Sequence, residues 1–467
     1  MNYKRTKIVA TFGPSSLSKT IIEKMIVAGV DVARINMSHY NEKFNIQGLV
    51  KNIRNISKKL NKSVSIMMDL PGPKIRTSNK EVINIKRGSS YTLGSDSEIT
   101  INKNLKFKGV KEGARIKIDD GKLSFIVQKK KSNTQIVIRA KNSGDLLPRK
   151  GINISGLDVN LPTIGSKDIK FIKMAIDLEL DWIAVSFVRF PKDRLKADNL
   201  FKRHSHHIPL IAKIEKTEAV ENLDNIIKNF DGILVARGDL GLELDLEKVP
   251  TLQKKIVRKC NMACKPVIIA TQMLESMIQN PMPTRAEVSD VASAVYDGSD
   301  AIMLSGETAA GKFPLECVRM MKSIVLNVEK EILDNEEFFN LISSPDKKNS
   351  KTAICSSAFK MTKDLSLKIM IVMTESGSTA NTMSSFRPSA FVFAMTPSDK
   401  VYRRLSLSWG VFPVKVRKFR STDQMLKFCK KFLIDNHIIK ENEQFIMTAG
   451  IPVGITGTTN MIKIETM

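Results

Sequence analysis

The chain has 467 residues, 42% of them hydrophobic, which is enough to build an ample core and several domains. No run of about 18 apolar residues occurs, so no membrane span is expected. The formal net charge of +26 invites a nucleic-acid reading. However, the lysines are spread over helix faces, no aromatic-interleaved basic stripe appears, and Lys, Ile and Asn are all abundant. Dedicated nucleic-acid binding is therefore not expected, although the charge should concentrate anionic substrates.

Met1-Asn-Tyr-Lys-Arg-Thr6 leads almost at once into the first strand and leaves no room for a signal or transit peptide, so a cytoplasmic location is expected. The five cysteines, Cys260, Cys264, Cys317, Cys355 and Cys429, are an odd and scattered set that argues against a disulfide framework. Cys260 and Cys264 are spaced i, i+4 on an expected helix, with no companion pair to complete a metal site.

Taken in chain order, eight short apolar runs read as buried strands. They are Lys7–Phe12, Val30–Ser38, Val64–Asp69, Trp182–Phe187, Leu210–Glu215, Gly232–Asp239, Val267–Thr271 and Ala301–Ser305. Amphipathic helical segments such as Lys19–Ala28, Ser166–Leu178, Leu252–Ala263 and Ala286–Tyr296 follow most of them. That alternation predicts an α/β fold, a closed (β/α)8 barrel spanning residues 1–70 and 160–333. Polar residues collect at the carboxyl ends of the runs, where such barrels do chemistry: Arg34, Asn36 and Ser38, then Asp69, Ser186, Lys213 with Glu215, Asp239, Thr271 and Ser305.

From 71 to 159 the helical rhythm gives way to β alternation, predicting a small all-β lid inserted into a barrel loop. Arg115–Val127 reads as a hairpin about a type I′ turn at Asp120-Gly121, and Thr134–Ala140 as a further strand. Pro314–Ile332 reads as the last barrel helix, and residues 334–350 as a linker. Residues 351–467 alternate again and predict a C-terminal doubly wound α/β domain, with helices over Thr352–Asp364, Ser378–Ser385 and Asp399–Ser408. Its expected strands are Ile369–Met373, Phe391–Met395, Phe445–Thr448 and Met461–Ile464.

The sharpest local signal is Ile211-Ala-Lys-Ile-Glu215. Lys213 and Glu215 share one face of a strand that should carry no charge, because such groups are rarely buried unless paired or ligated. They read either as a structural ion pair or as an anion-holding lysine beside a metal-holding glutamate. By contrast, Thr284-Arg-Ala-Glu287 reads as a capping box that opens a helix.

Together with that phrase, six others resemble pyruvate kinases. They are Val32-Ala-Arg-Ile-Asn-Met-Ser-His39, Gly72-Pro-Lys-Ile-Arg-Thr77, Val235-Ala-Arg-Gly-Asp-Leu-Gly241, Ala270-Thr-Gln-Met-Leu-Glu-Ser-Met277, Pro283-Thr-Arg-Ala-Glu-Val-Ser-Asp290 and Met303-Leu-Ser-Gly-Glu-Thr-Ala309. The resemblance runs nearly end to end. It implies transfer of the phosphoryl group of phosphoenolpyruvate to ADP, giving pyruvate and ATP at the last step of glycolysis, and it implies a homotetramer. Glu215 and Asp239 would hold Mg²⁺ or Mn²⁺, a metal that commonly takes one or two protein carboxylates plus substrate oxygens. Lys213 would stabilise the transferring phosphoryl group and Arg34 would bind phosphate. Gly238 would let backbone N–H groups approach the substrate carboxylate, and Thr271 would touch the carbon that is protonated. Asn36, His39, Arg76 and Lys150 match nucleotide-contacting positions, though His39 also reads as a helix-start residue and Lys150 as a surface charge.

The chain departs from the commoner family pattern at Lys74. Potassium-dependent relatives carry Glu there, with a monovalent cation beside the positions matching Asn36, Ser38, Asp69 and the backbone of Leu70. Lys74 is expected to place its ammonium near those acceptors, compensating Asp69 and removing the need for K⁺; a solvated lysine at the lid entrance is the plainer alternative. Thr374, Ser376, Gly377, Ser378 and Thr379 match the family's effector-phosphate loop, where Glu375 would repel a second phosphate and favour a monophosphate effector such as AMP or a sugar phosphate. Two other functions compete. One is a different barrel enzyme acting on phosphoenolpyruvate or pyruvate, such as a lyase, which the lid and Arg76 disfavour. The other is a non-enzymatic basic nucleic-acid-binding protein.

Overall fold

The computed structural model describes residues 4–40, 44–102, 105–157, 161–334, 345, 349–453 and 457–467. Eight parallel strands close into a barrel: Lys7–Thr11, Val32–Asn36, Ser65–Asp69, Trp182–Val185, Leu210–Ile214, Gly232–Ala236, Val267–Ala270 and Ala301–Leu304. The first strand pairs with the last, Lys7 opposite Ala301 through Ala10 opposite Leu304, so no edge is left to aggregate. The apolar runs lack the clean alternation of a half-exposed sheet because both faces are buried. Outward residues pack on the surrounding helices, while inward ones such as Val9, Met67, Ile211, Leu234 and Ile268 fill the barrel.

The expected run Gly232–Asp239 is shorter as a strand than predicted. It stops at Ala236, and Arg237–Glu243 turns at once into a helix whose first turn holds Gly238 and Asp239. The Cys260 and Cys264 pairing is also corrected: the helix ends at Met262, and Cys264 sits beyond it at φ 54°. All five cysteines are free thiols.

The chain leaves the barrel after Asp69 and returns before Ser166, with Arg76 bridged to Gly151 where the two crossings meet. Between them lie a six-stranded and a two-stranded sheet with a core of their own, built around Phe107, Phe125, Ile116 and Ile138. The hairpin Arg115–Ile118 with Leu123–Lys130 turns at Asp120 and Gly121, whose φ values of 53° and 88° suit the expected turn, closed by Lys122 N–H on Asp119 C=O at 3.1 Å.

The expected linker lies mostly outside the described residues. Beyond it, helix Ser350–Asp364 opens a domain whose five strands run in the order Val411–Lys415, Phe391–Thr396, Ile369–Met373, Gln444–Gly450, Thr459–Thr466, the last antiparallel. The sequence reading leaves strand Val411–Lys415 and helix Thr422–Asp435 unassigned. The strand carries Pro413, which a sheet tolerates at an edge, and it lies at the edge. The expected helix Asp399–Ser408 ends at Arg404 and tightens into a 3₁₀ turn, Leu405–Leu407. That turn has a purpose: Leu407 is fully buried among the inward residues at the foot of the barrel. Around it Ser63 donates to the Tyr402 carbonyl at 2.8 Å, Ser65 donates to the Arg403 carbonyl, and Arg403 pairs with Asp181 at 2.7 Å.

Candidate active site

At the carboxyl ends of the barrel strands, four charged side chains form one buried cluster. Lys213 Nζ lies 2.9 Å from Glu215, 3.2 Å from Asp69 and 2.8 Å from the Ser186 hydroxyl. Asp69 turns its other oxygen to Arg34, 2.7 Å away, and Arg34 also donates to the Thr11 hydroxyl at 2.8 Å. Lys213 and Asp69 come from the fifth and third strands, the alternate-strand layering by which such barrels fill their interior. The ion-pair reading of Ile211–Glu215 is met: the pair exists, and it is part of a larger charged cluster.

The cluster sets the protonation of its members. Burial alone would lower the Lys213 pKa, but Asp69 and Glu215 outweigh it and hold the ammonium above the ordinary lysine range. Asp69 is pushed the other way: burial would raise its carboxyl, yet Lys213 and Arg34 together bring it below the usual aspartate value. Glu215 is raised, chiefly by burial and further by the charge of Asp239, despite Lys213.

Glu215 also accepts the Phe187 N–H at 2.7 Å, which fixes its carboxylate. Asp239 stands in the first turn of its helix, with Lys74 Nζ 4.0 Å away. This corrects the expected place of Lys74. Its ammonium reaches toward Asp239, and Asp69 is compensated by Arg34 and Lys213. The sequence reading missed this because it paired Lys74 with acceptors near it in the motif pattern, whereas Arg34 and Lys213 reach Asp69 from two other strands. Among the described residues, no three His, Cys, Asp or Glu side chains stand together as a metal cluster.

Thr271 leaves the seventh strand at φ 74°, followed by Gln272 at φ 55°, a left-handed conformation that is costly for a β-branched residue. Its hydroxyl donates to the Ala270 carbonyl at 2.6 Å and accepts the Gly238 N–H at 2.8 Å, so the amide expected to face a substrate carboxylate here meets Thr271. Arg237 clamps the strained turn by donating to the Thr271 carbonyl at 2.7 Å while pairing with Asp290. Neither Arg237 nor Thr11 stands among the candidate residues read from the sequence. Arg237 lies inside the motif Val235–Gly241, a signal that was present but unused.

Asn36 caps the short turn Met37–His39 by accepting the Ser38 N–H at 3.1 Å, and Ser38 and His39 are exposed. The His39 imidazole is held below its ordinary pKa by partial burial of the ring, then by the positive charges of Arg76, Arg34 and Lys74. Lys150 stands at the neck of the lid beside Arg76, its backbone N–H on the Thr77 hydroxyl at 2.8 Å, with its ammonium turned to Asp119 at 2.9 Å. Leu70 is buried, its N–H on the Ala184 carbonyl at 2.9 Å. In the C-terminal domain, Thr374 accepts the Gly377 N–H at 2.9 Å, with Gly377 at φ 83° opening the helix Ser378–Ser385. Thr374, Ser376, Ser378 and Thr379 line a cavity of about 280 Å³ that Glu375, Arg417 and Lys418 also border.

The lid leans on the helix that carries Asp239. Lys117 donates to the Gly241 carbonyl at 2.9 Å, Asn153 to Glu243 at 3.1 Å, and Arg115 pairs with Asp245 at 2.8 Å.

Comparison with known proteins agrees with this architecture from end to end. Residues 3–318 match the family model described as pyruvate kinase, barrel domain, and residues 352–465 match pyruvate kinase, alpha/beta domain. A pyruvate kinase of Staphylococcus saprophyticus is 40% identical over 475 aligned positions, covering 99% of this chain and 80% of that protein. One of Staphylococcus aureus is 40% identical over 478, with the same coverage. The crystal structure of a pyruvate kinase from Cryptosporidium parvum superposes with a TM-score of 0.92 at 34% identity, covering 99% of this chain and 96% of that one. With both domain models matched and near-complete coverage by relatives well above 30% identity, the chain belongs to the pyruvate kinase family, phosphotransferases that move the phosphoryl group of phosphoenolpyruvate to ADP to give pyruvate and ATP.

Proposed function

We propose that Lys213 is the principal charge-stabilising residue of this phosphoryl transfer. The observation that supports the reading is a single ammonium kept charged and immobile by Asp69, Glu215 and Ser186 at a buried strand end. Phosphoryl transfer needs positioning and neutralisation of charge spread over the phosphoryl oxygens, and a preorganised cation supplies both without reorganising. Arg34, braced by Asp69 and Thr11, binds the phosphate beside it. Thr271 gives up the Gly238 N–H when substrate binds, freeing that amide for the substrate carboxylate and its own hydroxyl for water-relayed protonation of the reacting carbon. Lys213→Met should lower kcat on the order of 10³-fold with little change in KM for phosphoenolpyruvate. A coupled assay of pyruvate formation reads this, and a variant within about tenfold of wild type would refute the role.

Glu215 and Asp239 fit a divalent cation, Mg²⁺ or Mn²⁺: they are two hard oxygen donors at one edge of the cluster, and each already faces an ammonium, Lys213 at 2.9 Å and Lys74 at 4.0 Å. Such a cation, when bound, neutralises substrate oxygens as a Lewis acid. Asn36, His39 and Arg76 take the ADP side, with Lys150 brought in by the lid.

Lys74 supplies a fixed monovalent charge beside Asp239 instead of beside Asp69, and on that ground the enzyme needs no K⁺. Full activity is expected in buffer free of Na⁺ and K⁺, with partial K⁺ dependence after Lys74→Glu. A wild-type rate that rises more than about tenfold with K⁺ at constant ionic strength would sink this. The cavity at Thr374–Thr379 takes a phosphate monoester effector, since Glu375 in its wall opposes a second phosphate. The enzyme is a homotetramer, as the resemblance implies, and its free thiols suit the reducing cytoplasm.

A further inference from the structure

Behind the effector loop lies a second cavity, about 330 Å³, between the foot of the barrel and the C-terminal domain. Its barrel wall is built where successive strands begin: Trp182 opens the fourth, Pro209 precedes the fifth, Asp231 the sixth, and Lys265 stands just before the seventh. The opposite wall holds Arg404 and the start of helix Ser378–Ser385. Lys351, Ser376 and Ser378 line both this cavity and the effector cavity, so the effector loop is the partition between two chambers.

The chemistry of the second chamber is one-sided. Lys265, Lys351 and Arg404 bring three cationic groups, against one carboxylate, Asp231. Asp231 is already engaged by the Leu210 N–H at 2.9 Å and by Arg194 at 3.7 Å. Two donors on wall residues have no protein acceptor: the indole N–H of Trp182, a residue only 5% exposed, and Nε of Arg404. Orphaned buried donors are uncommon and call for an explanation. Arg404 is meanwhile held across the domain boundary by donating to the His207 carbonyl at 2.8 Å. Hydroxyl and amide groups of Ser376, Ser378, Asn381 and Thr382 complete a lining suited to a polar anion.

We propose that this interdomain chamber is a second anion site, separate from both the active site and the effector cavity, and that its ligand is a small phosphate monoester. A volume of this size exceeds what a bare phosphate needs, and the hydroxyl-rich wall suits a polyol remainder. The strands that rise from the chamber end at Ser186, at Lys213 with Glu215, and beside Gly238 and Asp239. An occupant therefore grips the feet of the strands whose tops hold the chemistry, and it joins them to the C-terminal domain. A ligand that prefers one arrangement of the two domains shifts the enzyme toward it.

The test is calorimetric titration of the full-length protein with glycerol 3-phosphate, ionic strength held constant with chloride. Lys265 lines only this chamber and Lys418 only the effector cavity, so Lys265→Gln should weaken one binding event on the order of tenfold while Lys418→Gln leaves that event unchanged. Asn381→Asp is the second variant. Its carboxylate can still accept the Ser408 hydroxyl that Asn381 accepts at 2.6 Å, so the fold is kept while a negative charge enters the wall. It should abolish the same event. If both variants titrate as wild type, or if only Lys418→Gln changes the titration, the chamber is not an anion site.

Discussion

Asp69 is the residue on which the active site turns. Its two oxygens hold Arg34 and Lys213, so removing its charge would leave Arg34 without that carboxylate and Lys213 with Glu215 alone. Breaking a buried pair from one side costs about 3–5 kcal/mol, and Asp69→Asn should lose stability of that order at neutral pH. The sign of its pH dependence follows from the lowered carboxyl. The stabilisation is complete above the unfolded value of 3.8 and is lost as pH falls through the lower folded value. The gap between wild type and Asp69→Asn in urea unfolding should therefore be constant from pH 7 to about 5 and shrink below 3.8. A gap that widened on acidification would contradict the assignment. The sequence announced Lys213 and Glu215 because two charges in an apolar strand break a pattern. It hid the part Asp69 plays because the cations that meet it come from two other strands, and a pattern along one strand carries no information about its neighbours across a barrel.

Among the elements, the short helix Arg237–Glu243 joins the lid to the chemistry. It carries Gly238 and Asp239 in its first turn and meets the lid near its last, where Glu243 accepts from Asn153 and pairs with Lys216 at 2.5 Å. Glu243→Ala should free the lid's Asn153 without touching the residues assigned to phosphoenolpyruvate. The expected result is a KM for ADP raised several-fold with the KM for phosphoenolpyruvate nearly unchanged, read from steady-state kinetics with each substrate varied in turn. Equal rises in both would show that the contact supports the whole site instead of the lid. Element type was legible wherever a period was strong: helix Lys19–Ala28 and strand Ile369–Met373 stand where the periodicity puts them. It failed at Val411–Lys415, where an edge position excuses a proline that the pattern penalises.

At the scale of the whole molecule, barrel and C-terminal domain share a core. Leu407 belongs by chain position to the second and by packing to the first. Leu407→Ala should cost about 2–5 kcal/mol, as a fully buried leucine does when its cavity cannot collapse. The loss should appear in the melting of the barrel, followed by hydrogen exchange in the strand Ser65–Asp69, against which the Leu405–Leu407 turn packs. Exchange confined to the C-terminal sheet would show that the two cores are independent. No periodicity forecasts this contact, because it depends on how one domain seats on another.

That seating has a consequence for how the protein is made. The last barrel strand ends at Leu304, and the residue that completes the barrel's inner layer is Leu407, 103 residues later (407 minus 304). At roughly 5–20 residues per second, a ribosome needs about 5–20 s to cover that distance. Throughout that interval all eight strands have been synthesised, yet the foot of the ring stays open and apolar. The nascent chain is then most open to aggregation and to chaperones, after its catalytic residues have been translated but before the residue that seals the barrel beneath them has emerged.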